Sequence, residues 1–410
     1  MRILQIMRCL PYPPSGGTLI RCFNLLQRIA TEHDVWLISF ANEKEQIEGL
    51  PHLKRLCKDI ITIQSEKQHA WSKPDLLIKY LFKCRPIELR LYQSDQMKEG
   101  IKKLTSMVDF DVVEIIDSKL GEYIEALPAS LRSRTIMTFM DVEYIRSKRI
   151  SEIETEMRKK IRYWLFSQQM RRWEPYYMEQ FRSCVTMSEN DRSILLQDNP
   201  CLSIKVIPNG VDTKKYLPLS THFQTSTPTL LFVGNMEYAP NIDAMLYFTE
   251  NIFPRIRQTY DVIDLIIAGK NPPKEILNLE GNCIHVYPDP NVYQYYSRSW
   301  VVVVPLRAGS GTRLKILEAM ALGRPVVSTS IGCEGLKVTD GENISIADDP
   351  NLFAEKVIHH LKMDEFSKII VNNARKLVVD TYDWDIIAQS TILTYEQIKS
   401  ESMQKNERET

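Results

Sequence analysis

Short apolar runs rich in β-branched residues alternate with helix-like stretches along almost the whole chain, and this rhythm restricts the fold more than any other feature. In the first half the runs are Arg2–Ile6, Val35–Phe40, Ile60–Gln64, Val112–Ile116, Thr135–Phe139, Cys184–Met187 and Lys205–Ile207. In the second half they are Leu230–Val233, Leu265–Ala268, Cys283–Val286, Val301–Pro305, Pro325–Ser328 and Ile344–Ile346. Strands that are apolar on both faces and separated by helices predict parallel sheets covered on both sides. Each half holds enough strands for its own doubly wound sheet, and 410 residues exceed one ordinary core. The expected fold class is α/β, with two Rossmann-like domains.

Turn residues at Pro208-Asn-Gly-Val-Asp212, followed by a polar Ser/Thr-rich stretch to Pro228, mark the expected boundary. The first domain is then 1–212 and the second 213–379. A helix pattern returns from Trp384 towards Ile398 and belongs to a segment of 380–400. Residues 401–410 read as a polar, frayed tail.

Lysine plus arginine equals aspartate plus glutamate at 52 each, so overall charge gives no sign of nucleic acid as a partner. The eight cysteines form no C-x-x-C pair and no Cys/His cluster at metal spacing, which suits buried thiols in a reducing compartment. The first apolar stretch is cut short by Arg8 and Pro11, and no run approaches the roughly 18 residues of a membrane span. A cytoplasmic protein is expected.

Two glycine loops carry the chemistry. Strand Arg2–Ile6 runs into Pro13-Pro-Ser-Gly-Gly17, and a helix pattern follows with Leu19, Phe23, Leu26 and Ala30 at core spacing. Gly16 and Gly17 permit close backbone approach at a helix start, which suits a phosphate or sugar; a tight strand-to-helix turn explains them equally.

The second loop is the more informative. Leu306 to Ser328 reads LRAGSGTRLKILEAMALGRPVVS. Strand Val301–Pro305 enters Gly309, Ser310 and Gly311, and Thr312 is a suitable cap for the next helix. Amides at the carboxyl end of a parallel strand are where open α/β sheets bind ligands. Arg313 and Lys315 flank Leu314 in the first helical turn, beside the positive end of the dipole, where cations are unfavourable. A diphosphate would relieve that cost. Glu318 lies three residues beyond Lys315 on the same face and suits ribose hydroxyls. A Lys315–Glu318 surface pair and a solvated arginine would account for the same charges. No G-K-S/T follows the glycines, so the loop is not a P-loop.

Together with Pro208-Asn-Gly-Val-Asp212, Phe232-Val-Gly-Asn235, Ala268-Gly269, the Asp289 region and Asp340-Gly-Glu-Asn343, this segment resembles the retaining glycosyltransferases of family 4, glycosyl transferases group 1 with the GT-B fold. The resemblance covers nearly the whole chain, strongly in the second half and weakly between residues 65 and 130. It implies two domains facing a cleft that closes over substrate, with the C-terminal helix crossing back to the first. It implies that Glu318 holds the donor ribose and that Arg313 and Lys315 bind the diphosphate. Gly309, Ser310, Gly311, Thr312 and Leu314 would line the donor, with Gly234 and Asn235 beside them. Val286 and Tyr287 would present backbone to the base. Gly16 and Gly17 match the family's N-terminal glycine loop.

Three departures stand out. Ser310 occupies the place of a second glutamate, eight residues before Glu318. Asn235 and Met236 replace the arginine region after the Phe-Val-Gly strand, which turns the expectation towards Arg313 and Lys315 as catalytic cations. The family's histidine at the end of a first-domain strand has no counterpart in Thr138-Phe-Met-Asp141, where only Asp141 is offered, as acceptor-orienting group, base or plain helix cap.

The implied activity is metal-independent transfer, with retention, from a UDP- or GDP-linked sugar to a glycan or lipid-linked glycan, for polysaccharide biosynthesis. The departing phosphate would help to deprotonate the acceptor. The nucleotide-sugar is a substrate and no cofactor is expected. The spacings Asp109/Asp111 and Asp383/Asp385 read as turn or cap residues rather than metal ligands. From Tyr144 to Tyr177 the chain is rich in basic and aromatic residues. That stretch reads as a helix packed on the first domain, or as a peripheral membrane contact through 144–177 at the inner face of the membrane. Rival functions are a GT-B epimerase or hydrolase and a non-catalytic nucleotide-sugar-binding protein. A nicotinamide enzyme is disfavoured, because no G-x-G-x-x-G follows an early strand.

Overall fold

The computed structural model describes residues 1–41, 44–64, 85–219, 226–289, 291–309 and 311–409. The chain divides into two compact units, one of Met1–Lys148, Arg158–Pro208 and Asp385–Thr410, the other of Arg149–Met157 and Asn209–Trp384.

The first unit contains β1 (Arg2–Met7), β2 (Asp34–Phe40), β3 (Asp59–Ile63), β4 (Val112–Ile116), β5 (Thr135–Thr138), β6 (Ser183–Thr186) and β7 (Ile204–Val206). They form one parallel sheet in the order β3-β2-β1-β4-β5-β6-β7. Ile6 is in register with both Ile38 and Ile115, and all three are buried. Around the sheet lie α1 (Gly17–Ile29), α2 (Asp95–Met107), α3 (Glu143–Ile153, which runs on into the second unit), α4 (Met157–Tyr177) and α5 (Glu189–Asp198). Ser94 and Ser188 cap α2 and α5 by accepting from Met97 and Asp191 amides.

The second unit contains β8 (Thr229–Val233), β9 (Asp264–Ala268), β10 (Ile284–Tyr287), β11 (Val301–Val304), β12 (Val326–Ser328) and β13 (Ser345–Ile346). These form a second parallel sheet, ordered β10-β9-β8-β11-β12-β13. Its helices include α6 (Ala239–Tyr247), α7 (Leu314–Ala321), α8 (Pro350–Leu361) and α9 (Glu365–Thr381). Strand order reverses at β1/β4 in one sheet and at β8/β11 in the other. Loops diverge at such a reversal and leave a crevice at the carboxyl ends of the strands.

The last helix, α10 (Trp384–Glu409), returns to the first unit. Asp385 pairs with Arg28, Lys399 with Asp111 at 3.0 Å, and the buried Tyr395 hydroxyl donates to Glu114 at 2.6 Å. The helix continues through residues 401–409, where the sequence predicted a frayed tail. Of the two D-x-D spacings, Asp111 also accepts from the Arg2 amide at 2.7 Å, and Asp383 accepts from the Thr213 amide at 3.2 Å. Each serves local structure. Among the described residues no helix is long and apolar enough to cross a membrane.

At the reversal of the first sheet, Arg8 past β1 lies 3.1 Å from Asp117 past β4. Asp117 has φ +86°, a left-handed conformation that costs a non-glycine residue energy. Burial opposes its ionisation, but Lys119 and Arg8 outweigh burial and lower its pKa. Lys119 also reaches Glu143 at 2.5 Å. Burial resists charge on Glu143 as well, yet Lys119 and Arg146 hold that carboxyl well below the usual range. Glu174 accepts from the Ser118 hydroxyl at 2.5 Å and the Glu143 amide at 3.1 Å. Its burial, reinforced by the Glu143 charge, pushes it up to about 8.

Folded Glu174 therefore keeps its proton up to about pH 8, whereas an unfolded chain releases it near 4.5. Between those values the folded state binds more protons, so stability falls as pH rises through the window. Glu143 acts in the opposite sense and only in the acid range below it. The melting temperature is expected to fall from pH 5.5 to pH 8, and Glu174→Gln to flatten that fall; equal slopes in both proteins would contradict the assignment. A second expectation concerns Gly269, whose φ is +153° and whose added Cβ would lie 1.7 Å from the Gly234 carbonyl oxygen. Gly269→Ala should destabilise the second unit by about 3 kcal/mol or more, measured by urea unfolding.

Candidate functional site

The loops leaving β8 and β11 sit side by side, because those strands are neighbours at the reversal of the second sheet. After β11 the chain turns through Gly309 (φ +106°) and Gly311 (φ +77°), conformations that favour glycine. Ser310 lies outside the described residues. Thr312, predicted as the cap, does not cap the helix. α7 begins one residue later than that reading requires, with Arg313 in the N-cap position, its carbonyl accepting from the Ile316 amide at 3.0 Å. Thr312 is instead buried, and its hydroxyl has no hydrogen-bond partner among the described residues.

Lys315 turns back over the sheet. Its Nζ lies 3.1 Å from Asn241 Oδ1 and 3.9 Å from the centre of the Phe232 ring. Asn241, on α6, donates in turn to the Asn235 carbonyl at 2.8 Å. Gly234 makes room for this pair: an added Cβ would lie 2.7 Å from Asn241 Nδ2 and 3.1 Å from Lys315 Nζ. Arg313 packs against Gly309, where a Cβ would meet its guanidinium at 2.8 Å. Burial and then the nearby Arg313 charge push the Lys315 ammonium well below the ordinary lysine range, with Glu318 opposing.

Glu318 shares the face of Lys315 but has other partners. It accepts from the Tyr296 hydroxyl at 3.0 Å and the Tyr216 hydroxyl at 3.4 Å. Burial raises its pKa against both of those hydrogen bonds and the Lys315 charge. The simple Lys315–Glu318 surface pair is thus replaced by two separately anchored groups of opposite sign, on one turn of helix beside a glycine loop. Such an arrangement suits a ligand with an anionic part at the loop and hydroxyls one turn further along.

Other predicted residues stand apart from this cluster. Val286 and Tyr287 are on β10, at the sheet's edge. The Val286 amide donates to Glu280 at 2.6 Å, and the Tyr287 carbonyl accepts from Gly269 at 3.0 Å and Asp289 at 2.8 Å. The Tyr287 ring stacks on Tyr295 at 4.8 Å. In the first unit, Gly16 (φ +120°) is the N-cap of α1, with Gly17 its first residue. Asp141 follows β5, partly exposed, two residues before the buried Glu143.

Sequence reasoning missed Asn241, Tyr216 and Tyr296, and also Arg149. Arg149 belongs with the second unit, where it pairs with Glu334 and donates to the Gly309 carbonyl at 2.7 Å. Asn241 could have been suspected from its place at the start of the helix after Phe232-Val-Gly234. The tyrosines and Arg149 come from distant segments, and no spacing announces them. Among the described residues no cluster of three or more His, Cys, Asp or Glu side chains gathers as metal ligands would.

Residues 227–363 match the family model for glycosyl transferases group 1. An uncharacterized 44.6 kDa protein in the cps region of Klebsiella pneumoniae is 25% identical over 402 residues, covering 93% of this chain and 96% of its own. An uncharacterized glycosyltransferase of Methanocaldococcus jannaschii is 26% identical over 249 residues, covering 53% and 61%. Among solved structures, sucrose-phosphate synthase from Thermosynechococcus elongatus superposes with a TM-score of 0.71 at 16% identity, over 98% of this chain and 100% of that one. Anabaena HepE in complex with UDP-glucose does so at 0.66 and 13% identity, over 97% and 100%. Two parallel-sheet Rossmann-like units, a returning C-terminal helix and these likenesses establish the GT-B fold, and the segment that matches the glycosyl transferases group 1 model carries the glycine loop, α7 and its flanking strands.

Proposed function

We propose that the protein transfers a sugar from a nucleoside diphosphate sugar to a glycan or lipid-linked glycan at a membrane surface, with retention of configuration and without a metal ion. The observation that carries this reading is the pairing on α7: a buried lysine beside a glycine loop and a glutamate one turn on, each held by its own polar partners. Sugar transfer develops positive charge on the ring and negative charge on the departing phosphate. Fixed donors and cations placed where that phosphate forms lower the barrier. Arg313, Lys315 and the amides of Gly309, Gly311 and Thr312 fill that role. Glu318, with lone pairs beyond those used by its tyrosines, receives the ribose hydroxyls.

Lys315 supports an anionic ligand in a second way. Burial and Arg313 disfavour its charge, and an anion bound beside it would favour that charge. UDP is the preferred nucleotide, because a structural neighbour, Anabaena HepE, is seen in complex with UDP-glucose; GDP is the alternative. Asp141, past the end of β5, is the proposed acceptor-orienting group or base.

Thermal-shift measurements without metal test the donor assignment. UDP and UDP-glucose should raise the melting temperature by mass action. Glu318→Ala and Lys315→Met should each weaken the apparent affinity by roughly 10- to 100-fold, the loss expected for a charge-assisted hydrogen bond. No response to UDP or GDP, or variants that respond as wild type does, would refute the donor site. Transfer itself is read from the anomeric configuration of product formed with a lipid-linked glycan.

A further inference from the structure

Helix α4 has two unlike faces. Phe166, Met170 and Trp173 are buried in the first unit's core, and the Ser167 hydroxyl donates to the Tyr144 carbonyl at 2.8 Å, so the helix is fixed on that side. Towards solvent, Met157, Ile161, Trp164 and Leu165 are 65%, 50%, 51% and 49% exposed. At helical spacing they form one stripe opposite the buried residues, bordered by Arg158 on one side and by Lys160 and Arg171 on the other.

Charge singles out the same surface. From Met157 to Arg172 there are six lysines and arginines and no acidic residue, in a chain whose net charge is zero. Arg162 is tied to Glu88 at 3.5 Å and Arg171 to Asp198 at 3.2 Å. Arg158, Lys160 and Arg172 are exposed around the apolar stripe. Scattered exposed apolar residues are ordinary, but a contiguous group rimmed by cations marks an interaction surface. A second copy of the face would set like charges against each other. An anionic bilayer matches both features, since apolar side chains enter the headgroup–acyl boundary while lysine and arginine meet lipid phosphates.

We propose that this face of α4 seats the protein on an anionic membrane surface, with Trp164 and Leu165 as the inserted side chains. The stretch expected as one packed or one membrane-touching unit, 144–177, is thus divided: Tyr144 of α3 and Phe166 and Trp173 of α4 are buried, and the solvent-facing side of α4 docks. The role of such docking rests on the proposed lipid-linked acceptor, while its geometry stands on this helix alone.

The test is co-sedimentation of the full chain with vesicles of phosphatidylcholine, alone or with about 30% phosphatidylglycerol. Binding should appear on the anionic vesicles and weaken with salt. Arg158→Ala/Lys160→Ala/Arg172→Ala should weaken it by roughly fivefold for each cation removed. Trp164→Ser/Leu165→Ser should abolish it, and the Trp164→Phe variant should lose a blue shift of fluorescence seen for wild type with vesicles. Because these positions are exposed, all variants should keep the wild-type melting temperature and its response to UDP. That response reports the donor site, so its failure with vesicle binding intact would sink the donor reading alone. The proposal is overturned if wild type stays with the supernatant, if the variants partition as wild type does, or if Trp164→Ser/Leu165→Ser instead dissolves a dimer found by analytical ultracentrifugation.

Discussion

Parallel sheets covered on both faces leave little room for ligand chemistry except at the ends of their strands. The strands are mostly valine, isoleucine and leucine, each central strand is hydrogen-bonded on both sides, and the polar side chains buried mid-strand, Gln5 and Glu114 in the first sheet, are hydrogen-bonded to each other. Ligand-binding groups must therefore come from the loops after the strands, and the reversals at β1/β4 and β8/β11 are where those loops part. The second reversal depends on unusually close backbone approach. Gly269 lies so near Gly234 that a single methyl group would overlap the latter's carbonyl oxygen, and Gly234 in turn leaves space for Asn241 and Lys315. Glycines here are required by volume as well as by dihedral angle.

Charge is organised differently at the two reversals. In the first unit, Arg8, Asp117, Lys119 and Glu143 compensate one another, and the neighbouring Glu174 stays neutral because a second uncompensated carboxylate beside Glu143 would be too costly to bury. In the second unit, burial and Arg313 disfavour the charge on Lys315, and Glu318 is held by tyrosine hydroxyls. A cluster of the first kind is internally satisfied. One of the second kind sets two cations beside a glycine loop, and that contrast is why the donor site is proposed for the second unit.

Much of the fold was legible because doubly buried strands are largely apolar runs. Predicted Val112–Ile116 is observed unchanged, Cys283–Val286 appears as Ile284–Tyr287, and Val301–Pro305 as Val301–Val304. Glycine loops were legible too, since positive φ at Gly309 and Gly311 leaves few alternatives. Thr312 misled because a good capping residue is only a local preference, and burial of its side chain shifted the cap to Arg313. Tyr216 and Tyr296 were invisible: each reaches Glu318 from a segment with no motif of its own. The two faces of α4 escaped notice for a related reason. Its aromatic residues fall on both sides, and only tertiary packing separates buried Trp173 from exposed Trp164.

The central claim is that Lys315, beside the glycine loop and with its pKa lowered by burial and by Arg313, binds the diphosphate. Calorimetric titration of UDP at pH 8.5, in buffers of different ionisation enthalpy, measures protons taken up on binding. Wild type should take up protons, increasingly so as pH rises towards the ordinary lysine range, and Lys315→Met should not. UDP binding with no proton uptake, or with the same uptake in Lys315→Met, would contradict the account.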